Sequence, residues 1–243
     1  MIVQTFSDHY KIIYQRSHAL LSAQLFTQCK PLILEKVTNY NETLIAIATH
    51  DDGFTNADKK YYINDKGQPK DFRENTFEKE ASIQILENAR LRSVWSYLMA
   101  LYHMVHLYQN KNDEAIRMFV AWVNDTIDSV IHKLHIKKEK AEQSYQFLRF
   151  TDDLSLFICF HLFDKESGND TIKTPVDNTC CTVKLYDNEL IISPSILKVD
   201  SNPMYIEYRE IPMQYYNKDK QLHDELTKAR VRSKKITLCE KYT

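Results

Sequence analysis

Apolar residues recur at helical spacing through the middle of this chain and in alternation toward its two ends. Residues 1–15 alternate loosely, with Ile2, Phe6, Tyr10, Ile12 and Tyr14 around Ser7-Asp8-His9, and read as two short strands or a hairpin. Ser17 is placed to cap a helix running from His18 to about residue 29, with Leu21 and Leu25 on one face. Pro31 opens a further segment, Asn39-Tyr40-Asn41 breaks it, and a helix resumes over about residues 42–50. Residues 51–80 are polar and carry turn signals at Gly53 and Gly67-Gln68-Pro69. So long an irregular stretch within a compact domain is usually functional or disordered. Its position directly after His50-Asp51 makes it a loop over a site, with residues 53–75 closing on a substrate and Gly53 letting the chain turn sharply.

A long helix follows over about residues 76–108, with a break expected near Asn88. Residues 113–136 form an amphipathic helix carrying Phe119, Trp122, Val123, Ile127 and Val130, and another helix covers about 139–163. After Ser167-Gly168-Asn169-Asp170 the pattern changes. Residues 179–185 and 190–192 flank Tyr186-Asp187-Asn188-Glu189 as a hairpin, and 204–211 alternates as a strand. A polar helix fits about 217–232, and Ile236-Thr237-Leu238 reads as a final short strand. The expectation is an α+β protein of one domain, residues 1–243. Its mainly helical core covers about 16–165, and its β-rich portion, about 175–243, packs with the N-terminal strands 1–15.

Composition narrows the function. At 243 residues the chain can bury a sizeable core, and 43% hydrophobic with 27% charged residues is ordinary for a globular protein. The 32 basic and 33 acidic residues leave a formal net charge of -1, so no global field draws the chain to nucleic acid or an anionic membrane. No apolar stretch approaches the roughly 18 residues of a membrane span, and residues 1–6 lack the features of a signal peptide. The five cysteines (Cys29, Cys159, Cys180, Cys181 and Cys239) are scattered and form no CxxC pair, which favours reduced thiols in a cytoplasmic protein. Three glycines, Gly53, Gly67 and Gly168, are too few for glycine-rich phosphate loops. Phosphate chemistry, if present, falls to a metal or to cationic side chains.

The strongest chemical signal is the doublet His50-Asp51, which closes the apolar run Leu44-Ile45-Ala46-Ile47-Ala48. Partners sit in other apolar segments: His18, the pair His103 and His106, and Asp152-Asp153. A hard divalent cation prefers carboxylate and imidazole ligands. Two histidines and two carboxylates, from His18, His50, Asp51 and Asp152, leave open positions where a metal can activate water and polarise a phosphoryl group. His103 and His106 share a helix face at i, i+3 and are placed to hold a second ion about 3.5–4 Å from the first, with Asp51 bridging. Asp152-Asp153 lies amid Phe147, Leu148, Phe150, Leu154, Leu156 and Phe157, where a carboxylate is costly unless paired or metal-bound. Asp52 is the candidate general base or orienter of a histidine. Among the arginines, Arg16 and Arg73 are the candidates for gripping a phosphate, with Arg90 and Arg149 weighed behind them. His132 and His135 beside Lys133 look like a solvated helix end. A wholly structural reading competes with all of this: a histidine in a helix is more often a hydrogen-bonded packing residue than a ligand.

The order His18, His50-Asp51, Asp152 resembles the H…HD…D pattern of the HD-domain metal-dependent phosphohydrolases, and Thr151-Asp152-Asp153-Leu154 is similar to that family's late aspartate motif. On that match Asp152, rather than Asp153, is the ligand. Over most of the chain a closer resemblance is to a bacterial family of domains of unknown function. The motifs that carry it are Tyr14-Gln15-Arg16-Ser17-His18-Ala19-Leu20, His50-Asp51-Asp52-Gly53-Phe54, Gly67-Gln68-Pro69-Lys70-Asp71-Phe72 and Asp152-Asp153-Leu154-Ser155-Leu156. The HD resemblance implies a helical HD-like core with a central metal and, most often, phosphoester hydrolysis; some relatives are iron oxygenases. The gap of about 100 residues between the doublet and Asp152, and the extension to His-Asp-Asp, depart from that pattern.

These readings set the expectation: a phosphohydrolase with one or two divalent ions (Mn, Fe, Mg or Zn), acting on a small phosphorylated molecule or a nucleotide. Neither nucleic acid nor a membrane is an expected partner, and homo-oligomerisation is left open. The alternatives are a di-iron oxygenase and a non-catalytic metal- or nucleotide-binding regulatory protein.

Overall fold

The computed structural model describes residues 1–52, 63–164, 166–177, 179–198 and 202–239. The chain begins as the expected hairpin: β1 (Ile2–Thr5) and β2 (His9–Ile13) pair antiparallel, with Ile2 opposite Ile13. Helix α1 (Gln15–Thr27) starts three residues before His18, so Ser17 lies inside it; Tyr14 precedes the helix without a side-chain cap. A single turn, α2 (Pro31–Leu34), and α3 (Tyr40–Ala48) follow, α3 entered through Asn39 in the left-handed conformation that asparagine tolerates. A 3-10 turn (Phe72–Glu74) precedes α4 (Lys79–Arg92) and α5 (Val94–Tyr108). These two replace the single long helix and divide at Ser93, not Asn88. Ser93 is extended and its hydroxyl accepts from the Ser96 amide, capping α5, whereas the Asn88 amide oxygen only takes a hydrogen bond from Gln84 along α4. Helices α6 (Glu114–Leu134) and α7 (Lys138–His161) complete this layer.

Five more strands then join the hairpin: β3 (Gly168–Lys173), β4 (Cys180–Tyr186), β5 (Glu189–Ser193), β6 (Met204–Pro212) and β7 (Val231–Cys239). Together they form one seven-stranded sheet of order β1-β2-β6-β7-β5-β4-β3. All neighbours are antiparallel except β5 and β7, which makes the sheet mixed. The β4–β5 turn carries Asp187 and Asn188 at positive φ, 44° and 69°, the backbone that a two-residue hairpin favours.

This sheet corrects the expected architecture. A mainly helical, HD-like core with strands on its flanks does not describe the molecule: the sheet is a full layer and one wall of the main core. The apolar cluster that holds Leu21, Leu25, Trp95 and Phe147 of the helices continues through Ile13, Val183, Leu185, Ile206 and Ile236 of the sheet. Alternation along the strands turns Tyr10, Ile12 and Ile211 to the other face, where Leu222 and Leu226 of α8 (Asp219–Lys228) and Tyr216 cover them. Helix α1 is tied to the sheet by Gln24, whose side chain donates to the Tyr205 carbonyl and accepts from the Tyr205 amide, each at 2.9 Å. Among the described residues, no helix is long and apolar enough to cross a membrane.

Candidate metal centre

Four segments deliver polar side chains to one buried point. On α1, Gln15, His18 and Ser22 follow at intervals of three and four and so share the inward face. On α7, Asp152 and Ser155 do the same. His50 and Asp51 come from the turn just past the end of α3, and His103 from the interior of α5. Gln15, His18, His50, Asp51, His103 and Asp152 are each at least nine-tenths buried, with exposures of 1–7%. Such a concentration of ionisable groups is costly inside a protein unless the charges are matched.

The geometry matches them around the Nε2 atoms of two histidines. His18 Nε2 lies 2.5 Å from Asp51 Oδ2, and His50 Nε2 lies 3.2 Å from Asp152 Oδ1 and 3.7 Å from Asp51 Oδ2. The other ring nitrogens have partners of their own, and His18 Nδ1 also lies 3.8 Å from Asp152 Oδ1. His50 Nδ1 donates at 2.7 Å to the Ile47 carbonyl, one of those that the end of α3 leaves without a helical partner. His18 Nδ1 meets Ser155 Oγ at 2.9 Å; that hydroxyl donates to the Asp152 carbonyl and accepts from Ser22, so the ring nitrogen is the donor. Two groups of potential ligand atoms result, each within 4.8 Å: His18, His50 and Asp152, and His50, Asp51 and His103.

Charge follows from this packing. Burial works to lower the His50 pKa, but Asp51 and Asp152 overcome it and lift it to about 10. Burial works to raise both carboxyls, and His50 and His18 hold Asp51 and Asp152 below the ordinary carboxylate value. His103 lacks so close a carboxylate, and burial drops it to about 4, leaving a neutral ring near neutral pH. His50 therefore brings a positive charge up against two carboxylates. Two imidazoles and two carboxylates without a thiolate suit Mn, Fe or Zn, and a divalent cation meets the same electrostatic demand as the His50 proton.

A cavity of about 510 Å³ opens onto these residues. Gln15, His18, Asp51, His103 and Asp152 form its floor, Phe72, Phe77, Leu107 and Tyr108 its apolar sides, and Lys70, Arg73 and Lys111 its cations. The segment after Gly67 builds one wall. Buried Asp71 takes hydrogen bonds from the Val3 amide and from Arg73 N and Nε, while Glu74 reaches back to the Asp71 amide. Part of the expected closing loop is thus a fixed wall; residues 53–62, with Gly53, lie outside the described residues.

Of the residues singled out from sequence, His18, His50, Asp51, Asp152 and His103 come together, and Arg73 lines the cavity. His106 turns into a different pocket beside Arg149. Asp52 and Arg16 are not among the cavity-lining residues; the Asp52 carboxylate pairs with Arg16 at 3.2 Å and with Arg92. Asp153 faces a third pocket with Asp170, its carboxyl raised to about 7 by burial and by Asp152. Sequence reasoning missed Gln15, Ser155, Lys70 and Lys111. For Gln15 and Ser155 the available signal was helical spacing, three residues from His18 and Asp152 respectively.

With this geometry in view, comparison with known proteins adds a family. The model of a family described as a protein of unknown function, DUF3891, matches residues 1–213. The chain belongs to the DUF3891 family. No curated protein and no solved structure matches it. Kinship of this DUF3891 protein with HD-domain phosphohydrolases gains no support from these matches. What the DUF3891 centre does rests on its own atoms.

Proposed function

We propose that this chain is a metal-dependent phosphohydrolase whose divalent cation is held by His18, His50, Asp51 and Asp152, with His103 able to join them. One observation carries the reading: both histidines have Nδ1 committed as a donor, to Ile47 O and to Ser155 Oγ, and the cluster offers two trios of ligand atoms, His18, His50 and Asp152, and His50, Asp51 and His103, each within 4.8 Å. The chain order of these ligands resembles that of the HD-type enzymes, which adds to the case. Bound there, a divalent cation lowers the pKa of water and polarises a phosphoryl oxygen.

The protein's own groups supply the rest. Buried Gln15 donates to Asp51 Oδ2 at 3.1 Å, which fixes its amide, and its Oε1 has no hydrogen-bond partner and belongs to the cavity wall. That oxygen accepts a hydrogen bond from the attacking water and so orients the water's lone pair toward phosphorus. Arg73 and Lys111 face the substrate's negative charge; the Arg73 guanidinium is held by Asp71 and lies 4.5 Å from the centre of the Phe160 ring. A water oxygen forms the new P–O bond and gives up a proton to solvent, the ester P–O bond breaks, and the leaving oxygen takes a proton from solvent.

Elemental analysis of the untagged protein, alongside His50→Ala and Asp152→Ala, tests the reading together with hydrolysis of p-nitrophenyl phosphate and its bis-ester. Near-stoichiometric manganese, iron, magnesium or zinc, absent from both variants, with metal-dependent release of nitrophenol, is the expected result. Metal without hydrolysis in the wild type, with iron and a requirement for reductant, would move the site to oxygen chemistry. Failure to bind any of these ions would leave a structural cluster.

A further inference from the structure

We propose that a second pocket, between α5, α6 and α7, binds a small oxyanion, a carboxylate or a phosphate group, on the guanidinium of Arg149. This pocket of about 320 Å³ shares no lining residue with the cavity over the metal centre. Two of its polar atoms are stranded. Arg149 Nη2 and the Tyr102 hydroxyl are both shielded from solvent, and neither has a hydrogen-bond partner. No ion pair to Arg149 occurs among the described residues. A shielded donor without an acceptor is rare enough to require a reason.

The neighbouring charges are otherwise disposed. Asp153, one turn along α7, lines a different pocket with Asp170 and forms no ion pair with Arg149 among the described residues. Lys138, also in the pocket wall, is neutralised by Asp128 at 2.9 Å. Glu142 lines the pocket and opposes an anion, so Arg149 and the neutral donors must outweigh it. Those donors are the Tyr102 hydroxyl, the Gln146 amide and His106, whose pKa is lowered by burial and by Arg149 itself. Two oxygens in one plane fit a guanidinium edge, which selects carboxylate or phosphate over a halide. Val105 and Ile127 offer room for a short apolar stem. Tyr145 links this pocket to the metal donors: its hydroxyl is 3.5 Å from His103 Nδ1.

The test uses the full chain in chloride of matched ionic strength, titrated by calorimetry and thermal denaturation with inorganic phosphate and with succinate. Wild type should bind at least one probe with a saturable rise in Tm. Arg149→Met should start from a higher Tm without anion, because a stranded charge is gone, and should bind at least tenfold more weakly. Arg90→Met, exposed on α4 and outside both pockets, should respond like wild type, while Arg73→Met isolates any phosphate bound in the other cavity. Phosphate alone, or succinate alone, as the effective probe identifies the headgroup. No response in wild type, or a response kept in Arg149→Met and lost in Arg73→Met, overturns the proposal. If Arg149→Met does not fold, Tyr102→Phe decides: affinity should fall several-fold, and unchanged affinity counts against the site.

Discussion

Which nitrogen of each histidine is free decides what this cluster can bind, and that choice is made by residues that ligate nothing. Ser155 holds the proton on His18 Nδ1, and Ile47 does so for His50. Replacing Ser155 by Ala removes one holder without touching a ligand. Metal affinity should fall about 10–100-fold, the usual effect of losing such support, read by competition with a chelator; unchanged affinity would mean that the serine only fills space. Gln15→Met keeps the volume and removes the unpartnered oxygen. It should retain metal and lose about tenfold in kcat, near the worth of one hydrogen bond in the transition state; loss of metal instead would make Gln15 a support for Asp51. The two cases show where a sequence stops speaking. His50-Asp51 was legible because polar residues ended an apolar run. Asp152 and Asp153 could not be separated from neighbours and periodicity alone, since adjacent helical residues point about 100° apart and only the fold says which way is inward. Gln15 carries no charge and stands at a helix start, where a glutamine is unexceptional.

The elements repeat this division. Helices α1, α3, α6 and α7 were legible within a few residues because each buries one regular face. Strand β3 was not, and β7 was legible only as Ile236-Thr237-Leu238, since their side chains are mostly polar: in β3 only Gly168 and Ile172 are buried, and in β7 only Ile236. Strand β7 exists because β6 and β5 supply backbone partners on both sides, and β5 does so in parallel, Glu189 opposite Thr237, from far away in sequence. Hydrophobic alternation cannot report pairing of that kind. A wall of the cavity depends on a similar non-local tie. Asp71 caps the turn Phe72–Glu74 and joins it to β1 through Val3. Asp71→Ala leaves the Val3 amide unmatched and frees the segment that carries Arg73. Stability should drop by about 1–3 kcal/mol in urea denaturation, with KM raised and metal content intact. A variant with normal KM would detach Arg73 from substrate binding.

The whole molecule gives the centre its reach. Its ligands come from α1, the turn after α3, α5 and α7, and those helices share one apolar cluster with the sheet. A cation at that point therefore binds only when the helices are assembled, and assembling them requires the sheet that forms their wall. Binding that is confined to the folded state stabilises it by RT ln(1 + [L]/Kd), about 4 kcal/mol at a free metal concentration 1,000 times Kd. For a chain of this size, a change of that order corresponds to a Tm shift of roughly 8–16 °C. Removing metal with a chelator should accordingly lower Tm by that order, and His50→Ala should show no such response. Because the core is continuous, aromatic circular dichroism and backbone circular dichroism should report the same shifted transition. Were the strands to melt separately, at a temperature indifferent to metal, the sheet would be a neighbour of the centre rather than part of its support. The two-layer core argues against that: Ile13, Ile206 and Ile236 cannot leave the sheet's inner face without uncovering Leu21, Leu25 and Phe147, the residues that set α1 against α7 and so bring His18 to Asp152.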